Sequence, residues 1–151
     1  MRMKLLLILL FPALVCAQGF PARQITITVP YPPGSSSDLI PRAIAPLMSQ
    51  SMGVPVIVEN RPGAGGNVGA ALVAKGDASG HAVLMAPSAI LATNQWLYKE
   101  LNYDPQKDLT PVINAAKTPN MWVAHPDAPV KTIADVVALA KSKPGALAFA
   151  S

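Results

Sequence analysis

Two glycine-bearing stretches carry the residue types most able to hold a ligand. The first, Tyr31 to Asp38, joins Gly34 to the hydroxyls of Ser35, Ser36 and Ser37 and leads into an apolar pattern at helical spacing. A glycine turn running into a helix start gathers backbone N–H groups and the positive end of the helix dipole, and a carboxylate suits such a site. A turn with redundant caps uses the same residues, and local chemistry does not separate the two readings. The second stretch, Glu59 to Gly69, carries Gly63, Gly65, Gly66 and Asn67 before another helical pattern. It is not a dinucleotide fingerprint: Val68 occupies the place of the last glycine, and no acidic residue follows at the ribose distance. No phosphate loop of the Gly-Lys-Ser or Gly-Lys-Thr kind occurs either.

Catalysis and metal binding find little support. Serines are plentiful, His81 and His125 are potential bases, and Asp38 could orient one, but no Gly-x-Ser-x-Gly elbow occurs. His81 and His125 stand 44 positions apart without a local cluster of cysteine or carboxylate, which is poor metal-ligand spacing. Neither a catalytic residue nor a metal or other cofactor is expected. Ser88 and Asn94, both after the third strand pattern, are further candidates for ligand contact. Trp96, Tyr98 and Tyr103 could line a pocket, but packing over a helix is favoured.

The elements that position these loops follow from periodicity. Gln24 to Val29 alternates apolar and β-branched polar residues as a strand does, and prolines from Pro30 onward stop it. Ile40, Ala43, Ile44, Leu47 and Met48 recur at helical spacing, with Pro41 tolerable in a first turn and Pro46 expected to kink or split the helix before Gly53. Val54 to Val58 and Val83 to Ala86 read as buried strands, and Ala70 to Lys75 as a helix ending at Gly76. Further on, Ile90 to Leu101 reads as helix, Thr110 to Ala116 and Met121 to Ala124 as strands, and Thr132 to Lys143 as an amphipathic helix. Strand and helix in alternation mean an α/β fold with a parallel sheet, whose ligand loops lie at the carboxyl ends of the strands.

Composition agrees with an exported globular chain. It has 151 residues, 51% hydrophobic and 13% charged, with sixteen prolines scattered rather than clustered. Arg2, Lys4, the apolar run Leu5 to Val15 and the small residues to Ala17 form a secretory signal peptide, residues 1–17. Lipid attachment at Cys16 is disfavoured because Val15 precedes it. After cleavage no cysteine remains, and ten Lys and Arg face eight Asp and Glu, a net charge of +2. The basic residues are dispersed with few aromatics between them, which speaks against nucleic acid.

Val29 to Gly34 with Asp38, Val58 to Gly69, Leu97 and Tyr98, and then Tyr103 to Pro105 form an ordered set that continues through Ala138 to Lys141, Pro144, Gly145 and Phe149 to Ser151. The set resembles the Bug-type substrate-binding receptors of tripartite tricarboxylate transporters. The resemblance implies a type II periplasmic binding protein that binds a small organic acid without chemistry. It also implies a monomer that delivers its ligand to the integral-membrane permease subunits. Carried over, the ligand-binding positions are Tyr31, Pro33, Gly34, Ser35, Ser36, Asp38, Gly65, Gly66 and Asn67, with Ser88 and Ser151 as supplementary contacts. The family pattern has a second glycine where Ser35 stands, so the first loop is expected to be stiffer. The expected organisation is a truncated two-lobe architecture: a first lobe over 18–110 and the start of an incomplete second lobe over 111–151. The alternative is a non-binding remnant that senses or engages a partner.

Overall fold

The computed structural model describes residues 19–119, 121–145 and 147–148. The signal-peptide stretch with Cys16, and Phe149 to Ser151, lie outside them. The chain divides into two compact units, 1–116 and 117–151.

The first unit is built on a three-stranded parallel sheet. Strand β1 is Ile25–Val29, β2 is Val56–Asn60 and β3 is Ala82–Leu84, in the order β2-β1-β3. The register pairs Ile25 with Val56 and Val29 with Asn60 on one side of β1, and Thr26 with Ala82 on the other. Strand β1 is therefore central. Its residues are buried on both faces apart from half-buried Thr26, so it reads as a nearly continuous apolar and β-branched run.

Each face has its own helical cover. Helix α1, Ser36–Met52, covers one face, where Ile25, Ile27, Ala45 and Val56 form a core with Met48, Met52, Val58 and Val83 around it. On the other face α2, Asn67–Ala74, follows a 3₁₀ turn at Ala64–Gly66. Ala70, Ile90 and Tyr103 make that core with Leu84, Leu101 and Leu109. After β3 comes a single π turn, Ala89–Thr93, which runs directly into α3, Asn94–Leu97.

Helix α1 is one continuous helix, contrary to the expected break at Pro46. The carbonyl that Pro46 leaves unpaired is that of Arg42, and both residues are exposed, so water can replace the missing bond. Pro41 is buried and sits in the second turn rather than the first. Gly53 closes the helix in the left-handed region at φ 69°, its N–H donating to Ser49 O at 3.0 Å. Ser49 then joins helix to strand: its hydroxyl donates to Ala45 O and accepts from Val56 N at 2.8 Å.

Three further expectations need correction. The helix expected over Ile90 to Leu101 ends at Leu97, where Tyr98 turns extended. Thr110 to Ala116 and Met121 to Ala124 form no strand: they are exposed, Val112 and Ile113 by more than four-fifths, and no described neighbour pairs with them. Apolar β-branched residues favour extended backbone, but a strand exists only with a hydrogen-bonded partner. The second unit contains α4, Ile133–Ser142, opened by a reciprocal capping box between Thr132 and Asp135.

Close packing of α2 on the sheet depends on Gly69. A Cβ there would stand 2.8 Å from Arg61 O and 2.9 Å from Pro30 Cβ, both parts of the rigid frame. Gly69→Ala is expected to lose about 1–3 kcal/mol of stability despite alanine's better helix propensity, measured by urea unfolding.

Candidate functional site

Both glycine loops emerge at the carboxyl ends of adjacent parallel strands, β1 and β2, and direct bonds tie them together. Arg61 N donates to Val29 O at 2.7 Å, the Tyr31 hydroxyl donates to Gly65 O at 3.2 Å, and Asn60 Nδ2 donates to Tyr31 O at 3.0 Å. Burial raises the Tyr31 phenol above its usual value, helped by the neighbouring Tyr98, so the phenol stays protonated and able to donate.

Asp38 is the centre of the first loop. It lies in the first turn of α1, 2% exposed, and its two oxygens accept three bonds. Gly34 N donates at 2.9 Å, Arg42 Nε at 2.9 Å and Asn60 Nδ2 at 2.8 Å. The Gly34 amide, foremost, holds the carboxyl below its ordinary value; burial opposes this, and Asn60 and Arg42 add to it. Asp38 and the Gly34 amide are thus spent on one another. Asp38 acts by holding the loop, and Gly34 by supplying the left-handed turn, φ 89°, that lets it close.

The remaining groups of this loop are differently placed. Ser35 is the N-cap residue, yet its side chain caps nothing, and its Oγ is enclosed without a partner. Ser36 and Ser37 are the first two helical residues, and among the described residues their amides and hydroxyls meet no acceptor. Pro33 is exposed and makes no polar contact there.

The second loop is shaped by four consecutive residues with positive φ, Gly63 to Gly66, including Ala64 at 47°. Glycine is needed here for space as well as angle. A Cβ on Gly66 would meet Ile90 Cδ1 at 2.5 Å, and one on Gly65 would collide with the Tyr98 hydroxyl. Asn67, the first residue of α2, is nearly buried, and its Oδ1 accepts from Asn94 Nδ2 at 2.6 Å and from the Tyr103 hydroxyl at 3.2 Å.

The structure therefore brings Tyr31, Gly34, Ser35, Ser36, Asp38, Gly65, Gly66 and Asn67 to one edge of the sheet. Ser88 is exposed just before the π turn, four residues past β3, and makes no hydrogen bond among the described residues, and Ser151 lies outside them. Asn94 is buried, holding Asn67 and Gly65 O. Tyr103 is buried as expected, whereas Trp96 is 83% exposed and packs over nothing described. Sequence reasoning missed Arg42 and Asn60 as holders of Asp38. Arg42 was detectable from its i, i+4 spacing, whereas Asn60 comes from the neighbouring strand and carried no local signal.

The model of the tripartite tricarboxylate transporter family receptor matches residues 40–151. The chain belongs to that receptor family. Among its relatives, a UPF0065 protein from the tcbD-tcbE intergenic region of Pseudomonas sp. strain P51 is 39% identical, covering 88% of this chain and 39% of its own length. Protein BugT of Bordetella pertussis is 38% identical, covering 90% of this chain and 42% of its own. The chain thus spans about two fifths of the length of these relatives. In structure it is similar to R. palustris Rpa4515 with adipate: TM-score 0.76, 37% identity, 83% of this chain and 42% of that one. MatC from Rhodopseudomonas palustris with bound malate gives TM-score 0.53 at 35% identity, covering 62% of this chain and 32% of that one. This receptor family binds solutes and is not one of enzymes. The α/β architecture with a parallel sheet is that of its periplasmic binding proteins. Among the described residues no helix is long and apolar enough to cross a membrane.

Two outcomes follow for the first loop. Because the folded carboxyl of Asp38 lies below its ordinary value, its stabilisation is whole above that value and disappears as pH falls through the lower folded one. Asp38→Asn is expected to be less stable than wild type at pH 7 and to lose less on acidification from about pH 5 to pH 2, followed by thermal melts; the other depressed aspartates, Asp77, Asp104 and Asp135, contribute equally to both proteins. Ser35→Ala removes an enclosed hydroxyl that caps nothing, and is expected to stabilise the chain by about 1 kcal/mol in chemical denaturation.

Proposed function

We propose that the two loops form a clamp for a small organic carboxylate, and that the chain is part of a periplasmic receptor presenting this ligand to the membrane subunits of a tripartite transporter. The observation that carries the reading is the donor set at the start of α1 that no described protein acceptor satisfies. Ser36 and Ser37 offer amides and hydroxyls with no described acceptor, at the positive end of a 17-residue helix and at the sheet edge that also carries Gly65, Gly66 and Asn67. Relatives with adipate and with malate support a carboxylate as the ligand class.

The mechanism is capture by hydrogen bonding. A carboxylate entering at the loop edge replaces water on the Ser36 and Ser37 amides, while Asp38, already saturated, keeps the loop from collapsing onto them. The ligand is held and released unchanged, since no group in the clamp is arranged as a nucleophile with its base. In this reading residues 1–17 export the chain, residues 18–110 belong to a first lobe and residues 111–151 begin a second. The receptor is a monomer closing on its ligand by hinge motion.

Ser36→Pro tests the clamp cleanly. Ser36 is the first helical residue, where proline's missing N–H costs the helix nothing, and Ser35 before it is already extended at ψ 159°. The expected result is an unchanged or raised melting midpoint without ligand, and adipate or malate affinity weakened about ten- to a hundredfold by titration calorimetry. Equal affinity in the variant would show that the Ser36 amide is not part of the clamp.

A further inference from the structure

Asn67 holds its carboxamide in a way that its place at a helix start does not require. Its side chain caps no backbone group; its Oδ1 instead accepts from two buried donors of distant segments, Asn94 Nδ2 at 2.6 Å and the Tyr103 hydroxyl at 3.2 Å. The orientation is fixed by chemistry as well as distance. Asn94 also approaches Gly65 O at 3.3 Å, and a carbonyl accepts only, so Asn94 must present its NH₂ on that side. Asn67 must then face it with oxygen. The Tyr103 phenol, lying 3.0 Å from Ile90 O as well, donates its one proton to either acceptor. Its pKa is raised by burial and then by Tyr31, so it stays a donor.

The consequence falls on the other side of the carboxamide. With Oδ1 held by Asn94 and sharing the Tyr103 proton with Ile90 O, χ2 cannot turn without breaking the Asn94 bond, and Nδ2 of Asn67, the residue that follows Gly65 and Gly66, is left with no acceptor among the described residues. We infer that Tyr103 and Asn94 are positioning residues that lock the Asn67 carboxamide so that Nδ2 donates to a ligand carboxylate oxygen. This deepens the clamp reading and rests on it: the helix amides bind one part of the anion, and a side-chain donor of fixed direction selects where a carboxylate oxygen can sit. Neither positioning residue touches the ligand.

The test is side-chain amide NMR on the ¹⁵N-labelled chain, with adipate as the probe. In the free protein the two Asn67 Nδ2 protons are expected to be well dispersed. Tyr103→Phe keeps the core ring and removes only the hydroxyl, and it should move them toward the positions of exposed Asn102; Asn94→Ala should do so more strongly. Unchanged Asn67 signals in both variants would overturn the positioning role whether or not adipate binds. On titration, adipate should shift Asn67 Nδ2, and Tyr103→Phe should weaken binding about three- to tenfold in wild type but not in an Asn67→Ala background. Shifts at the Ser36 and Ser37 amides with none at Asn67 would overturn this inference and leave the clamp standing. Shifts at neither place would overturn both.

Discussion

A carboxylate buried at the start of a helix must find donors for both oxygens, and the rest of the loop edge depends on how Asp38 does so. Gly34 N comes from its own loop, Arg42 from the next turn of α1 and Asn60 from the end of β2. One side chain therefore joins the loop after β1, the helix that follows and the adjacent strand. Asn60 extends the connection by also donating to Tyr31 O, and the Tyr31 hydroxyl reaches Gly65 O in the second loop. Loss of any donor would leave part of a desolvated charge unpaired, a far larger cost than the net value of one exposed ion pair.

The two loops reach rigidity by different means. In the first, a saturated ionic centre lies behind a turn with only one left-handed residue, Gly34. In the second, four successive positive φ angles leave little freedom, and space is so short that Ile90, Tyr98 and Pro30 define where the backbone can pass. Polar groups behind the second loop are neutral: Asn67, Asn94 and Tyr103. A neutral network can be buried beside the proposed anion site without repelling an anion, whereas the Asp38 charge must be cancelled where it stands.

Much of this was legible in the sequence, and the exceptions share a cause. The parallel sheet, a helix after each glycine loop, and the two loops themselves follow from alternation, β-branching and glycine placement, all local signals, although the second helix begins at Asn67 rather than at Ala70. The uninterrupted course of α1 past Pro46 was not legible, because it depends on Arg42 and Pro46 lying on the exposed side, a property of the packed helix. Thr110 to Ala116 has strand composition without a strand partner, and composition alone does not report pairing. Within the site, Gly34 and Asp38 were recognisable as loop residues, but that they bind each other required Asp38 to be buried, and burial is a tertiary fact. Asn94 and Tyr103 were visible as polar and aromatic side chains; that both would turn toward Asn67 follows from the π turn and from the chain returning along Leu101 to Tyr103.

For the proposed clamp, the same arrangement constrains how strongly a carboxylate could be held. The α1 start already carries an internal anion, Asp38, which takes part of the favourable field of the helix end, and Arg42 in the next turn is committed to that anion. Arg61, at the end of β2, pairs with Glu59. Attraction at this edge therefore comes from directed N–H and hydroxyl dipoles rather than from net positive charge. Such dipoles act over the length of a hydrogen bond and discriminate by geometry, while surface charges act over about 10 Å and are screened by salt. On that proposal, a clamp built this way would gain selectivity from where its donors point and give up long-range pull.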